Sequence, residues 1–375
     1  MKSSNLSSRI ISSLALLVVF LVAPVTGVIL SGEPITPYLQ FPPLTTKVDQ
    51  SSFSWIAFIV VLLFVFITTW PFWRRFAGRP WRILPDHSRK RMPWWGWLSA
   101  AGVALFWVLA WNRFPWFEPF QRLTFFPIWF CFIIFLNGAA VWMSGKSLMT
   151  HRPLYFVLLF PTSAAFWWTF EYLNRFVNNW YYIGASGIGG WQYFVEASLA
   201  FSIVLPAVMS IRLILLQTSP FAKAYRNFPE APRLTSRTLW RAIGVMSVIA
   251  LIAVGWIPEI TYPLVWIIPG LLWVVYQRRN DYINPMLRDV STGDFTLLWT
   301  SAFAGLICGF FWEMWNLYSQ AKWVYSIPAL DRFHLFEMPL AGYFGYLPFG
   351  VICALVATSL LNTINQKEKF VQEEA

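Results

Sequence analysis

The chain has 375 residues, of which 57% are hydrophobic and only 12% charged, with a formal net charge of +11. A soluble globular chain carries about twice that share of charge, and no soluble interior hides so much apolar sequence. The basic residues sit in short blocks between apolar runs and form no single face or domain, which excludes nucleic acid as the cause of the positive balance and matches the cationic inner loops of membrane proteins.

The 24 Trp and 35 Phe exceed what a core needs. Aromatic belts at the two membrane interfaces absorb part of the excess, and the remainder is available to line a cavity. Cys131, Cys308 and Cys353 all lie inside apolar runs and read as small buried hydrophobes, with neither a disulfide framework nor a CxxC metal site.

Taken in chain order, the pattern predicts an all-α polytopic transmembrane helix bundle of about ten spans. They cover residues 10–30, 53–70, 97–111, 125–143, 154–173, 193–215, 240–257, 260–276, 295–317 and 338–361. Most are long enough for a helix to cross about 30 Å of hydrocarbon, and the third and eighth are short. Helices are required because backbone polar groups in lipid need partners within their own segment. The runs do not alternate, as barrel strands would. With the N-terminus inside, 22 Lys and Arg fall on inner segments and 6 on outer ones. That bias predicts a multi-pass protein of a bacterial inner membrane with both termini cytoplasmic. Span 10–30 reads as an uncleaved anchor, the alternative being a signal peptide. The Pro-rich stretch 33–43 reads as an extended outer loop, the basic segment 73–91 as an inner loop meeting anionic headgroups or a cytoplasmic partner, and 362–375 as a solvated tail.

Residues near 93–210 and 235–352 repeat each other at a spacing of 141–143. Trp97 and Gly102 match Trp240 and Gly244, and Glu118 matches Glu259. Glu171 and Asn174 match Glu313 and Asn316; Trp180 and Tyr182 match Trp323 and Tyr325; Glu196 matches Glu337, and Pro206 matches Pro348. The expected organisation is an N-terminal helix pair with the basic loop (1–92), two four-helix repeats (93–234 and 235–361) and the tail (362–375). Four spans per unit keep both units in one orientation, so a pseudo-two-fold axis along the membrane normal is expected.

Ionisable residues in membrane spans are costly and face the bundle interior or a wet cavity. Glu171, Glu196, Glu313 and Glu337 are all expected in the outer leaflet. Glu313 and Glu337, with Glu171 and Glu196, are the candidate catalytic residues. Asn174, Asn316, Trp168, Trp312, Trp323, Tyr325 and His334 are the candidates for substrate binding. Interfacial residues of a non-catalytic membrane scaffold, which only cap helices and anchor loops, would look similar. Against that reading stand three functions. Desolvated carboxyls beside an aromatic wall suit acid–base chemistry on a lipid or isoprenoid, since aromatic rings attract a developing cation. His334 and Glu337, spaced i,i+3, suggest a carboxylate-rich metal site, with one His as its whole nitrogen complement. Parallel repeats with carboxylates near an axis also describe transporters of small or lipidic solutes, although here the carboxylates group at one side and not at the midplane. No nucleotide, dinucleotide or hydrolase fingerprint is present, so the cofactor is left unknown. The expected partners are membrane lipids and an apolar small molecule.

The stretches 180–196 and 323–337, each a W-x-[YF] followed by a glycine or loop and then a Glu near a helix start, resemble the lycopene-cyclase-type membrane domains of carotenoid synthesis. That resemblance implies an intramembrane site for a long isoprenoid and cyclisation or isomerisation chemistry. The family's paired-Glu P-x-E-E pattern is absent, and its units hold three spans where four are expected here. The stretch 335–350, LFEMPLAGYFGYLPFG, is also similar to one in a family of bacterial polytopic membrane proteins with no assigned activity.

Overall fold

A computed structural model describes residues 6–43, 47–84, 91–184, 187–232 and 236–364, with side chains from residue 11 onward. Most of the expected tail 362–375, and residues 85–90 of the basic loop, lie outside the described residues. The principal helices are α1 (Leu6–Ser31), α2 (Trp55–Phe76), α3 (Trp94–Trp111), α4 (Phe125–Ser144), α5 (Pro153–Val177), α6 (Gly190–Phe201), α7 (Val204–Leu216), α8 (Arg237–Trp256), α9 (Ile268–Arg279), α10 (Thr296–Asn316) and α11 (Tyr346–Thr363). Helices α6 and α7 together form one span of 27 residues.

Among the described residues, nine helical segments are long and apolar enough to cross a membrane. A tenth candidate is the pair Pro258–Trp266 and Ile268–Arg279, bent by 50°. Loop contacts decide its role. Tyr262 Oη donates to Pro328 O (3.2 Å), while beyond α9 the Gly293 O accepts from Phe228 N (2.9 Å). The bent pair therefore runs from one end of the bundle to the other. The chain is an integral membrane protein that crosses the bilayer about ten times. The outward faces agree: Ile56 is 78% exposed, Trp94 75% and Phe64 67%, values tolerable in lipid and not in water.

The loops sort into two sets. At one end, Arg75 donates to Arg226 O (2.5 Å) and Asn227 O (2.9 Å), and Leu84 N donates to Gln217 O (3.0 Å). At the other, Arg113 donates to Tyr318 O (2.8 Å), Ser326 Oγ to Val48 O (2.7 Å), and Arg175 to Tyr38 O (2.9 Å) and Gln40 O (2.8 Å). The first set holds the loops richest in Lys and Arg and is called here the basic end.

Three expectations are corrected. The last span does not begin at residue 338: Met338–Pro339 is a strand, Leu340–Gly345 is 3₁₀, and the α-helix starts at Tyr346. The W-x-Y segments, expected in external loops covering the site, are strands. Strand β1 (Trp180–Ile183) pairs antiparallel with β2 (Lys322–Tyr325), Trp180 opposite Tyr325 and Tyr182 opposite Trp323. A second two-stranded sheet, this one a hairpin, joins β3 (His334–Leu335) to β4 (Met338–Pro339). Finally, α1 and α2 have separate main neighbours. Helix α1 packs on α8 so closely that a Cβ on Gly27 would stand 2.0 Å from Ile252 O, whereas Phe72 of α2 stacks on Trp299 of α10 at 4.4 Å. Without a hydrophobic driving force in lipid, such glycine crossings supply the van der Waals contact that joins helices.

Candidate functional site

The two buried glutamates occupy nests of the same design, near the C-terminal ends of α5 and α10. Glu171 is 3% exposed. Its Oε1 accepts from Trp167 Nε1 (3.1 Å), Trp180 Nε1 (3.0 Å) and Tyr182 Oη (2.5 Å). Glu313 is fully buried. Its Oε1 accepts from Trp323 Nε1 (3.3 Å), Tyr325 Oη (2.7 Å) and Tyr346 Oη (2.6 Å). A buried carboxyl is tolerable only when hydrogen-bonded, and three neutral donors on one oxygen meet that demand without a cation. Glu313 Oε2 is buried and has no partner among the described residues.

The strands deliver two donors to each nest because the asparagines hold them. Asn174 Nδ2 donates to Trp180 O (2.7 Å), and its Oδ1 accepts from Trp180 N (3.3 Å). Asn316 Nδ2 donates to Trp323 O (2.7 Å), and its Oδ1 accepts from Trp323 N (3.0 Å). The asparagines, spaced i,i+3 from the glutamates, thus fix the strand backbone and do not bond the carboxylates. The third donor differs. For Glu171 it is Trp167, one turn back on α5. The residue one turn before Glu313 is Gly309, where a Cβ would lie 2.2 Å from the Tyr346 ring, so the ring of α11 occupies that room and supplies the hydroxyl.

Between the nests lies a cavity of about 160 Å³. Its wall includes Trp167, Trp180 and Tyr182 from one nest, Trp323, Tyr325 and Tyr346 from the other, and Trp266 and Trp312. Burial, and after it the neighbouring carboxylate, push the Tyr182 and Tyr325 hydroxyls well above the ordinary phenol range. The shift favours the protonated, donating form of both hydroxyls.

The other predicted residues separate. Glu196 lines the cavity and accepts from Arg122 (3.0 Å) and Gln192 (2.9 Å), the Arg122–Glu196 pair being partly exposed and forming part of the rim. Glu337 sits in the β3–β4 turn, paired with Lys322, and is not on the cavity wall. His334 is exposed and pairs with Asp331 (2.8 Å), so the expected i,i+3 helical face with Glu337 does not form. Trp168 donates to Ser198 Oγ (3.0 Å) away from the wall, whereas Trp312 is on it. Arg332 lies over Phe53, Trp55 and Phe333 and pairs with none of the four glutamates. Among the described residues, no three His, Cys, Asp or Glu side chains are grouped to hold a metal.

Sequence reasoning missed Tyr346 and Arg122. A tyrosine inside a span must find a hydrogen-bond partner, and that rule marks Tyr346 together with several other tyrosines of the spans. Nothing in the spacing pairs Arg122 with Glu196, which is 74 residues away. The fold and site together define a polytopic membrane protein with two buried carboxylate nests beside one aromatic cavity. The chain matches no protein-family model, no curated protein and no solved structure.

Proposed function

We propose that the chain is an internally duplicated protein of the bacterial inner membrane whose halves form one site for an apolar, lipidic or isoprenoid molecule, with proton transfer as its chemistry. The duplication is supported by the matched nests and by the β1–β2 register. A two-fold axis between Tyr181 and Val324 exchanges Trp180 with Trp323 and Tyr182 with Tyr325. The observation that carries the functional reading is the cavity with a carboxylate nest on each side.

In this reading a proton passes from the Glu313 carboxyl through the Tyr325 or Tyr346 hydroxyl to a double bond of the ligand. The ligand becomes a carbocation and Glu313 a carboxylate. The Trp and Tyr rings hold the cation by cation–π attraction in a site that excludes water. A neighbouring carbon then gives up a proton through the Tyr182 hydroxyl to Glu171, and a double bond forms in a new place or closes a ring. The product is an isomer, no other reactant is consumed, and a proton returned from Glu171 to Glu313 resets the site. The Arg122–Glu196 pair marks the rim.

Organic extracts of the purified protein, analysed by mass spectrometry, should contain one specific apolar molecule. Ala200 lines the cavity, and Ala200→Phe should fill it and remove that molecule while leaving the thermal midpoint within a few degrees. A wild-type extract holding only bulk lipid, or equal retention by the variant, would sink the proposal.

The orientation is tested separately. Single cysteines at Arg79, in the basic end, and at Trp116, 69% exposed at the other end, should react with an impermeant thiol reagent from opposite sides, Arg79→Cys only from inside. Ser326 is unsuited to labelling because it is buried against Val48. Reaction of both from the periplasmic side would refute the assignment.

A further inference from the structure

The second large concavity is unrelated to the carboxylate nests. It is a groove of about 1400 Å³ between α1, α8 and α9 at the basic end. Its floor is apolar: Ala15, Leu16 and Val19 from α1, Val245, Val248 and Ile249 from α8, and Leu272 and Val275 from α9. Around its mouth stand four arginines, Arg237 and Arg241 in the first turns of α8 and Arg278 and Arg279 in the last turn of α9. Asp281 is the one carboxylate on the lining, which leaves a local excess of positive charge.

Among the described residues, none of the four arginines is ion-paired. Arg278 is half-buried, its guanidinium carbon 5.2 Å from the Trp240 ring centroid, and its Nε is buried without a hydrogen-bond partner. A guanidinium in that position has a donor left over and is held ready for an anion. Guanidinium forks match phosphate oxygens in geometry as well as charge. Arg278 and Arg279 sit beside the negative dipole end of α9, whereas Arg237 and Arg241 stand at the positive end of α8, which itself favours an anion.

We propose that this groove binds one anionic phospholipid, its phosphate held among Arg237, Arg241, Arg278 and Arg279 and its acyl chains laid along the apolar floor between α1, α8 and α9. The apolar floor of the groove and the charge of its mouth fit the two halves of such a lipid. A zwitterionic lipid would bring a trimethylammonium group against the same arginines. A free phosphate would leave the floor empty. Basic pockets between membrane helices on the inner side recognise anionic headgroups by this combination.

The test uses the full chain, stripped of lipid in detergent and placed in nanodiscs of phosphatidylcholine alone or with about a third phosphatidylglycerol. Lipids remaining after return to detergent are counted by native mass spectrometry. The wild type should retain one phosphatidylglycerol per chain and no phosphatidylcholine. Arg241→Gln together with Arg278→Gln should lower that retention at least about tenfold, given roughly a kcal/mol for each basic residue near an anionic surface. Arg74→Gln, outside the groove, should retain the lipid as the wild type does. The thermal midpoint in phosphatidylcholine alone shows whether the double variant is folded. If it is not, the charge-keeping pair Arg241→Lys and Arg278→Lys is measured in its place and should retain phosphatidylglycerol above phosphatidylcholine. Equal retention of the two lipids by the wild type, or wild-type retention by the folded glutamine variant, would overturn the proposal. So would stabilisation of the wild type by inorganic phosphate equal to that by phosphatidylglycerol.

Discussion

Glu313→Ala is expected to lower stability more than any other single substitution at the site, by on the order of 3–5 kcal/mol. The carboxylate is fully buried, and its Oε1 is the acceptor for Tyr325, Tyr346 and Trp323. Removing it strands three donors at about 1–3 kcal/mol each, partly relieved as the side chains and any entering water rearrange. Glu313→Gln keeps an acceptor oxygen and should cost much less, about 1–2 kcal/mol, since only the position of the partnerless Oε2 gains an unmet donor. Thermal or steric-trap unfolding in mild detergent measures both. If the alanine variant lies within about 0.5 kcal/mol of wild type, the nest contributes little to the fold and is not preorganised. The glutamine variant, being folded, is also the one in which ligand turnover should vanish.

The second large effect is a coupling. On the duplication reading, Trp167 and Val204 of the first unit correspond to Gly309 and Tyr346 of the second. Gly309→Trp alone should prevent folding, because even a Cβ there comes within 2.2 Å of the Tyr346 ring. Tyr346→Val alone should cost about 2–4 kcal/mol, through a lost donor and a cavity. Made together, the two changes reproduce the first unit's arrangement, with an indole N–H one turn before the carboxylate. The double variant should fold, and the cycle should show a favourable coupling of at least about 2 kcal/mol. Additive losses would mean that the two nests are alike only in outline.

The position of the site at the end of the bundle away from the basic loops follows from where α5 and α10 end and what their asparagines hold. Each helix ends within two turns of its Glu, and the Asn side chain takes both the N–H and the C=O of the strand tryptophan, Trp180 or Trp323. This explains why the W-x-Y pattern carries chemistry. Residues i and i+2 of a strand point to the same face, so one tryptophan and one tyrosine of each strand reach the same carboxylate. The two strands pair with each other, which brings both nests against one cavity.

The sequence by itself determined the class of protein, the span count near ten and the residues at the centre of the site. These rest on local quantities: hydropathy summed along a helix, charge counted loop by loop, and like residues recurring at a spacing of 141–143. Glu171, Glu313, Asn174, Asn316, Trp323 and Tyr325 were all legible in this way. Only the tertiary structure decided which of them meet. It separated Glu337, His334 and Trp168 from the cavity and added Tyr346 and Arg122 to it. Those outcomes depend on side chains 33 and 74 residues apart in the chain, on a Gly309 that admits a ring from another helix, and on a hairpin where a helix start was expected. In lipid, hydropathy says only that a segment spans. Which face it turns inward is set by close packing and by the demand that every buried polar group find a partner, and both are properties of neighbours that the linear pattern does not contain.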